Sequence, residues 1–162
     1  MLIIDKTARI AHFADIEDSR LGTKIVIESG VSIDSFVKIK PAGGRGDVII
    51  GRNTYINSGV VIYTGNGMKV GENVLIASNC TFSPVNHEIR SRDKKIIEQG
   101  FMQSKGGILI EDDVWIGANC VVLDGAVIRC GCVVGALSLV RGELAPYGIY
   151  AGNPLKKIGE RT

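Results

Sequence analysis

The chain has 162 residues, a length that suits one domain. Its 19 basic and 17 acidic side chains leave a net charge of +2, too balanced for a nucleic-acid track. No stretch is long and apolar enough to span a membrane, and the opening Met1-Leu2-Ile3-Ile4-Asp5-Lys6 lacks the layout of an export signal.

Taken in chain order, the apolar residues repeat every sixth position in three stretches. Ile27, Ile33 and Ile39 form the first. Ile50, Ile56 and Ile62 form the second, which resumes after a slip as Val70, Ile76 and Phe82. Ile110, Ile116, Val122, Ile128, Val134 and Val140 form the last, and among all these positions only Phe82 is not Ile or Val. Such a period fits neither a helix nor a flat strand. It fits a solenoid of triangular turns, one hexad per side. Four residues after each of these positions the side chain is usually small or β-branched, as at Val31, Thr54, Val74, Cys80, Cys120, Ala126 and Ser138. One large and one small inward residue per side suit a narrow interior. Gly, Asn, Asp and Glu fill the corners, as in Gly51-Arg52-Asn53 and Gly117-Ala118-Asn119, where tight turns need positive φ. The expectation is one all-β solenoid over residues 1–162, with about seven turns stacked in parallel ladders.

Three breaks interrupt the repeat. Pro41 to Gly46 reads as a surface turn and Thr64-Gly65-Asn66-Gly67 as a shorter bulge. The third runs over about residues 83–107, and a regular solenoid has no structural need for so long a loop. Loops on rigid scaffolds more often carry function. This one opens on His87, one of only two histidines, and histidine is the usual general base near neutral pH. The composition leaves a solvated loop histidine open as well. His12 precedes the clean repeats and has no such setting.

Cys80, Cys120 and Cys132 fall on the small inward position, where a thiol acts as a small apolar group, while Cys130 sits mid-hexad. Cys130-x-Cys132 has no second pair to complete a zinc site. A reduced, cytoplasmic protein without metal is the simplest reading. Beyond Pro146 the repeat ends, and Asn153 suits the cap of a short helix with Pro154 at its first position. Lys156, Lys157 and Arg161 then form a basic cluster, either a polar tail or a clamp for phosphates.

The run Ile110-Glu111-Asp112-Asp113-Val114-Trp115-Ile116-Gly117-Ala118-Asn119, with Asp124-Gly125-Ala126-Val127-Ile128, Val134-Gly135-Ala136-Leu137-Ser138-Leu139-Val140 and Ala151-Gly152-Asn153-Pro154 after it, resembles the hexapeptide-repeat acyltransferases. The likeness covers about residues 45–160. It points to the branch of maltose and galactoside acetyltransferases and bacterial polysaccharide O-acetyltransferases. The resemblance implies a left-handed parallel β-helix with an excursion loop and a short C-terminal tail or helix. It implies acetyl-CoA as acyl donor and a sugar hydroxyl as acceptor, with His87 as general base and no metal. Acceptor contacts are implied at Asn57, Asn86 and Trp115. Donor contacts are implied at the backbone of Gly117, Ala118 and Ala136 and at Arg141, Lys156, Lys157 and Arg161. It further implies homotrimers with active sites between subunits. The helical N-terminal extension of the maltose and galactoside branch is not seen here, and the loop run Ile96 to Phe101 looks closer to polysaccharide-modifying members. Competing readings are an N-acetyltransferase of a nucleotide-linked amino sugar, a xenobiotic O-acetyltransferase and a non-catalytic assembly subunit. The zinc carbonic anhydrases of the same scaffold need three histidines, and this chain has two.

Overall fold

The structure is a computed structural model and describes residues 1–19 and 21–162. Short parallel strands wind in successive three-sided turns. The first turn comprises β1 (Leu2–Ile4), β2 (Arg9–Ile10) and β3 (Asp15–Ile16). The second comprises β4 (Ile25–Ile27), β5 (Ser32–Ile33) and β6 (Lys38–Lys40). The third comprises β7 (Val48–Ile50), β8 (Tyr55–Ile56) and β9 (Val61–Tyr63). The fourth comprises β10 (Met68–Val70), β11 (Leu75–Ile76) and β12 (Thr81–Ser83). A loop bearing the one-turn α1 (Ile96–Gln99) then leads to β13 (Ile108–Ile110), β14 (Trp115–Ile116) and β15 (Val121–Leu123). The last turns are β16 (Val127–Ile128), β17 (Val133–Val134), β18 (Leu139–Val140), β19 (Glu143–Leu144) and β20 (Gly148–Ala151), and β21 (Lys156–Glu160) ends the chain.

Three sheets result. Face A holds β1, β4, β7, β10, β13, β16 and β19. Face B holds β2, β5, β8, β11, β14, β17 and β20, and face C holds β3, β6, β9, β12, β15 and β18. Registers put like on like: Ile27 lies beside Ile50, Val70 beside Ile110, and Ile76 beside Ile116. Every sixth-residue position named from the sequence is buried, and so are the small inward residues from Val31 to Ser138. The interior is thus one continuous apolar column. It removes from water the surface that drives folding.

The pattern reaches further back than Ile27. Ile4, Ile10 and Ile16 pair with Ile27, Ile33 and Ile39 and form the first turn. Ile4 is half-exposed. At the other end, of the tail or helix expected, no helix forms after Asn153 and the tail is a strand. The chain turns at the cis Asn153–Pro154 bond, and β21 pairs antiparallel with β20. That pairing gives hydrogen-bond partners to a sheet edge that would otherwise be bare. Leu155 and Tyr150 pack against the core from above.

All departures from the six-residue step fall on one edge of the prism. They lie between Ile16 and Ile27, Ile39 and Ile50, Ile62 and Val70, Phe82 and Ile110, and Val140 and Leu144, always where face C passes to face A. The A–B and B–C edges keep the tight corner throughout. Asn53, Asn73, Asn79, Asp113 and Asn119 take left-handed φ values of 56–60° there. Asn and Asp bear that conformation best after glycine.

Candidate functional site

The three sequence breaks therefore stack on the C–A edge and build one loop cluster. Gly46 N–H donates to Gly65 O (3.0 Å), Asn66 N–H to Pro84 O (3.0 Å), and Ile108 N–H to Gly67 O (3.0 Å). Gly43 lies against the side chains of Val85 and Phe101, where a Cβ would collide with both. The long loop is a folded ribbon. Glu88 N–H donates to Gly100 O (3.0 Å) and Met102 N–H to Asn86 O (2.8 Å), so His87 stands opposite Phe101 in an antiparallel bridge. The two rings pack at 4.9 Å between centroids. At the far end Gln99 ties α1 back to Ser91, accepting from its N–H and donating to its carbonyl, both at 3.0 Å.

His87 is exposed and lines a cavity of about 410 Å³ with Asn86, Ile89, Met102, Lys105, Leu123, Asp124 and Arg141. Arg141 also lines a second hollow of about 360 Å³ with Leu139, Tyr150, Asn153 and Lys157 at the C-terminal end. One shared residue, Arg141, thus links the histidine pocket to the terminal hairpin, and it follows β18, two rungs (about 10 Å) along the axis from the β12 strand that leads to His87. The pocket joins a polarisable base, an apolar wall of Met102 and Leu123, and cations at its rim. Such a lining can seat a neutral thioester arm and its anionic end.

Two carboxylates of the loop, those of Glu88 and Glu98, are engaged elsewhere. The Glu88 carboxylate accepts from Ile89 N–H (2.9 Å) and Arg90 N–H (3.0 Å). The backbone N–H of Arg90, then that of Ile89, hold it below the usual glutamate range. Glu98 accepts from Lys95 N–H (3.3 Å) at the start of α1. Asp124, which in the sequence is only part of a hexad run, is the buried acid of the pocket.

The other expected site residues fall on a different edge. Trp115 lies on face B and is 51% exposed. Its in-register neighbours are Leu75 and Val133. Asn57, Gly117, Ala118 and Ala136 sit at the B–C edge. Asn57 donates its side-chain amide to Ile76 O (2.9 Å) and so braces its own corner. The amide of Gly117 is engaged in the ladder with Val134 O (2.7 Å). The amides of Ala118 and Ala136 carry no hydrogen bond among the described residues. Within one chain, then, His87, Asn86 and Arg141 are brought together, and Asn57, Trp115, Ala118 and Ala136 are not brought to them.

The basic cluster also divides. Lys157 lines the terminal hollow and pairs with Glu160 at 3.0 Å, and Lys156 is exposed. Arg161 is held at another edge. Its guanidinium donates to Asp113 Oδ2 (2.9 Å) and Gly131 O (3.0 Å) at the A–B edge, because β21 carries the chain end across face B. Among the described residues no cluster of three or more His, Cys, Asp or Glu side chains gathers to hold a metal. Among the described residues no helix is long and apolar enough to cross a membrane.

Fold and site together describe a three-sided parallel β-helix whose single long excursion presents a histidine at one edge. Residues 107–136 match the family model of the hexapeptide repeat of succinyl-transferase. The galactoside O-acetyltransferase of Escherichia coli K12 is 37% identical over 118 residues, covering 70% of this chain and 54% of that protein. The putative lipopolysaccharide biosynthesis O-acetyl transferase WbbJ of the same organism is 30% identical over 134 residues, covering 80% of this chain and 65% of that one. A crystal structure of a variant of AntD, an N-acyltransferase from Bacillus cereus in complex with dTDP-4-amino-4,6-dideoxyglucose and coenzyme A, superposes with a TM-score of 0.81. It is 26% identical and covers 99% of this chain and 84% of that one. The chain spans about half the length of the galactoside enzyme it matches. It belongs to the hexapeptide-repeat acyltransferase family, and its prism is the left-handed parallel β-helix.

Proposed function

We propose that this protein is an acetyl-CoA-dependent O-acetyltransferase acting on a sugar hydroxyl, in the biosynthesis of a surface polysaccharide or related glycan. The observation that carries the reading is His87, exposed at the mouth of a pocket on the edge where the loops gather. The likeness to a galactoside and a lipopolysaccharide O-acetyltransferase supports a sugar acceptor. His87 removes the acceptor's hydroxyl proton as that oxygen attacks the thioester carbonyl. The tetrahedral adduct then expels the CoA thiolate, which takes the proton back from the imidazolium. No acyl-enzyme is required, because the thioester is already activated and both substrates share one groove.

The donor runs from His87 past Leu123 and Arg141 toward Lys157, with Lys156 near its phosphates. Its pantetheine amides meet the open N–H groups of Ala118 and Ala136. Those groups and Asn57 sit on the B–C edge, with Trp115 on face B beside it, and His87 sits on the C–A edge. A homotrimer that sets the B–C edge of one chain against the C–A edge of the next unites them. Asn86 and the neighbour's Asn57 and Trp115 then face the acceptor. Four free thiols, three of them buried, fit the reducing cytoplasm.

N-acylation of a nucleotide-linked amino sugar is the second reading, favoured by the superposition on AntD. One assay separates the two readings. Thiol release from acetyl-CoA is followed with methyl galactoside and with dTDP-4-amino-4,6-dideoxyglucose as acceptors. Turnover confined to the amino sugar overturns O-acetylation, and no turnover with either favours an assembly role. His87→Ala lowers kcat by about a hundredfold to ten-thousandfold. Near-normal turnover in a folded His87→Ala protein refutes the mechanism.

A further inference from the structure

Asp124 has no part in the chemistry described so far, yet it is the most enclosed charged group in the His87 pocket. It is 5% exposed and follows β15, one rung above the point where the long loop rejoins the coil. Its carboxylate accepts three hydrogen bonds. Oδ2 takes the backbone N–H of Lys105 (2.8 Å) and the side-chain amide of Asn66 (3.2 Å), and Oδ1 takes the backbone N–H of Gly107 (2.9 Å). Gly106 and Gly107 have φ of 107° and 80°, and this conformation turns the Lys105 and Gly107 N–H groups toward one acceptor. A buried carboxylate is retained only with such partners, and its bonds to N–H donors are stronger than neutral ones.

What Asp124 fixes is the return arm of the ribbon. Three residues before Lys105, Met102 N–H bonds Asn86 O, and Phe101 stands across from His87 with its ring on the imidazole. Asn66 belongs to the neighbouring bulge on the same edge, so one carboxylate joins both loops to the rigid rung that carries it. Glu88 and Glu98 serve the loop's own backbone, as described above. No other acid lines the His87 cavity.

We propose that Asp124 is a positioning residue: it anchors the return arm of the excursion and thereby sets where the His87 imidazole stands over the reacting atoms. The clause about reacting atoms rests on the reading of His87 as the base, whereas the anchoring does not. Asp124→Asn keeps the volume, removes the charge and sets an N–H₂ group against at least one N–H donor. The loop then loses its tie while the hexads keep their core.

The first readout needs no acceptor. The chain has two histidines, so imidazole proton NMR gives two sets of signals, told apart by the His87→Ala variant. The His87 signals carry a ring-current shift from Phe101, and those of His12, against Phe13 at 5.0 Å, serve as internal reference. In Asp124→Asn the His87 signals move toward free-imidazole positions and the His12 signals stay. Amide exchange quickens over residues 100–107 and not in the coil. If both histidines keep their shifts and exchange is unchanged, the proposal is overturned.

The second readout is kinetic, by thiol release from acetyl-CoA with methyl galactoside as probe. Asp124→Asn lowers kcat about tenfold to a hundredfold, the range expected of a base displaced by about 1 Å. KM for acetyl-CoA changes by less than about threefold, since positioning acts on the reacting geometry more than on ground-state binding. Wild-type kcat in Asp124→Asn, with His87→Ala inactive, overturns the positioning role. An active His87→Ala overturns the general-base reading instead and leaves the NMR result to decide the anchoring. Should Asp124→Asn not fold, Asn66→Ala removes only the 3.2 Å bond, and the same NMR comparison decides.

Discussion

Leu137 tests what the corners demand of the chain. It sits at φ 61° on the B–C edge, and its N–H bonds Ala118 O in the turn below. The two turns stacked beneath it carry Asn79 and Asn119 in the same left-handed conformation. That conformation costs an ordinary L-residue about 1–2 kcal/mol, and Asn less because its side chain bonds locally. The leucine gives little back, being 72% exposed. Full burial of a leucine contributes about 1.5–3 kcal/mol, so the quarter that is covered contributes roughly 0.5 kcal/mol. Leu137→Asn is therefore expected to stabilise by about 0.5–1 kcal/mol. Leu137→Gly relieves the same strain, but the greater freedom of its unfolded chain offsets about 0.5–1 kcal/mol and leaves it near wild type. Leu137→Ala keeps the strain and loses the contact, falling by about 0.5 kcal/mol. Urea unfolding followed by circular dichroism at one protein concentration gives the order. For a chain of this size 1 kcal/mol also moves Tm by about 2–4 °C. If all three variants fall together by more than about 1 kcal/mol, the side chain is held by another subunit and the strain argument is refuted.

Two further predictions concern ionisable groups away from the site. Glu111 accepts from Arg129 (2.7 Å) and from Cys130 N–H (2.8 Å), and these bonds, the arginine's first, hold its carboxyl below the usual glutamate range. A depressed carboxyl adds stability that is complete above the usual glutamate range and is lost as pH falls through its lowered value. Glu111→Gln should thus flatten the acid side of a stability-against-pH curve and leave its neutral-to-alkaline shape alone. An unchanged acid limb would show that the pair contributes nothing. Among the four cysteines, Cys130 is part-exposed, and Cys80, Cys120 and Cys132 are buried. Contact with Cys120 and then burial push the Cys80 thiol up, and burial does the same for Cys132. A maleimide should modify Cys130 alone in the native protein and all four thiols in urea, read by intact mass. Native labelling at Cys80 would mean that the coil opens at the rung before the loop.

The coil was legible because its interior admits only two kinds of side chain per side. Ile and Val at every sixth position and a small residue four later left the period visible even across Phe82. The first turn was missed because Ile4, Ile10 and Ile16 are set among Asp5, Lys6 and Asp15, which face water at an open end. The C-terminal strand was missed for a local reason. Asn153-Pro154 carries the chemistry of a helix start, and only the unpaired edge of β20 decides for a hairpin. His87 was found through its place in a loop. Asp124 was not, since Asp-Gly after a strand reads as an ordinary corner, and its three donors come from segments up to 58 residues away. Nor does a sequence say on which edge a residue stands. The separation of His87 from Asn57 and Trp115 becomes visible only when the hexads are wound.

The crowding of every length change onto the C–A edge has a wider consequence. Chain added between face C and face A leaves the sequence before and after it in phase, so each rung still meets the one above. That edge works as a seam, along which loops can be lengthened, shortened or exchanged without refilling the interior. A graft that replaces the loop tip from Arg90 to Gln99 while keeping His87, Phe101 and Asp124 would therefore alter what the groove accepts and leave the prism standing.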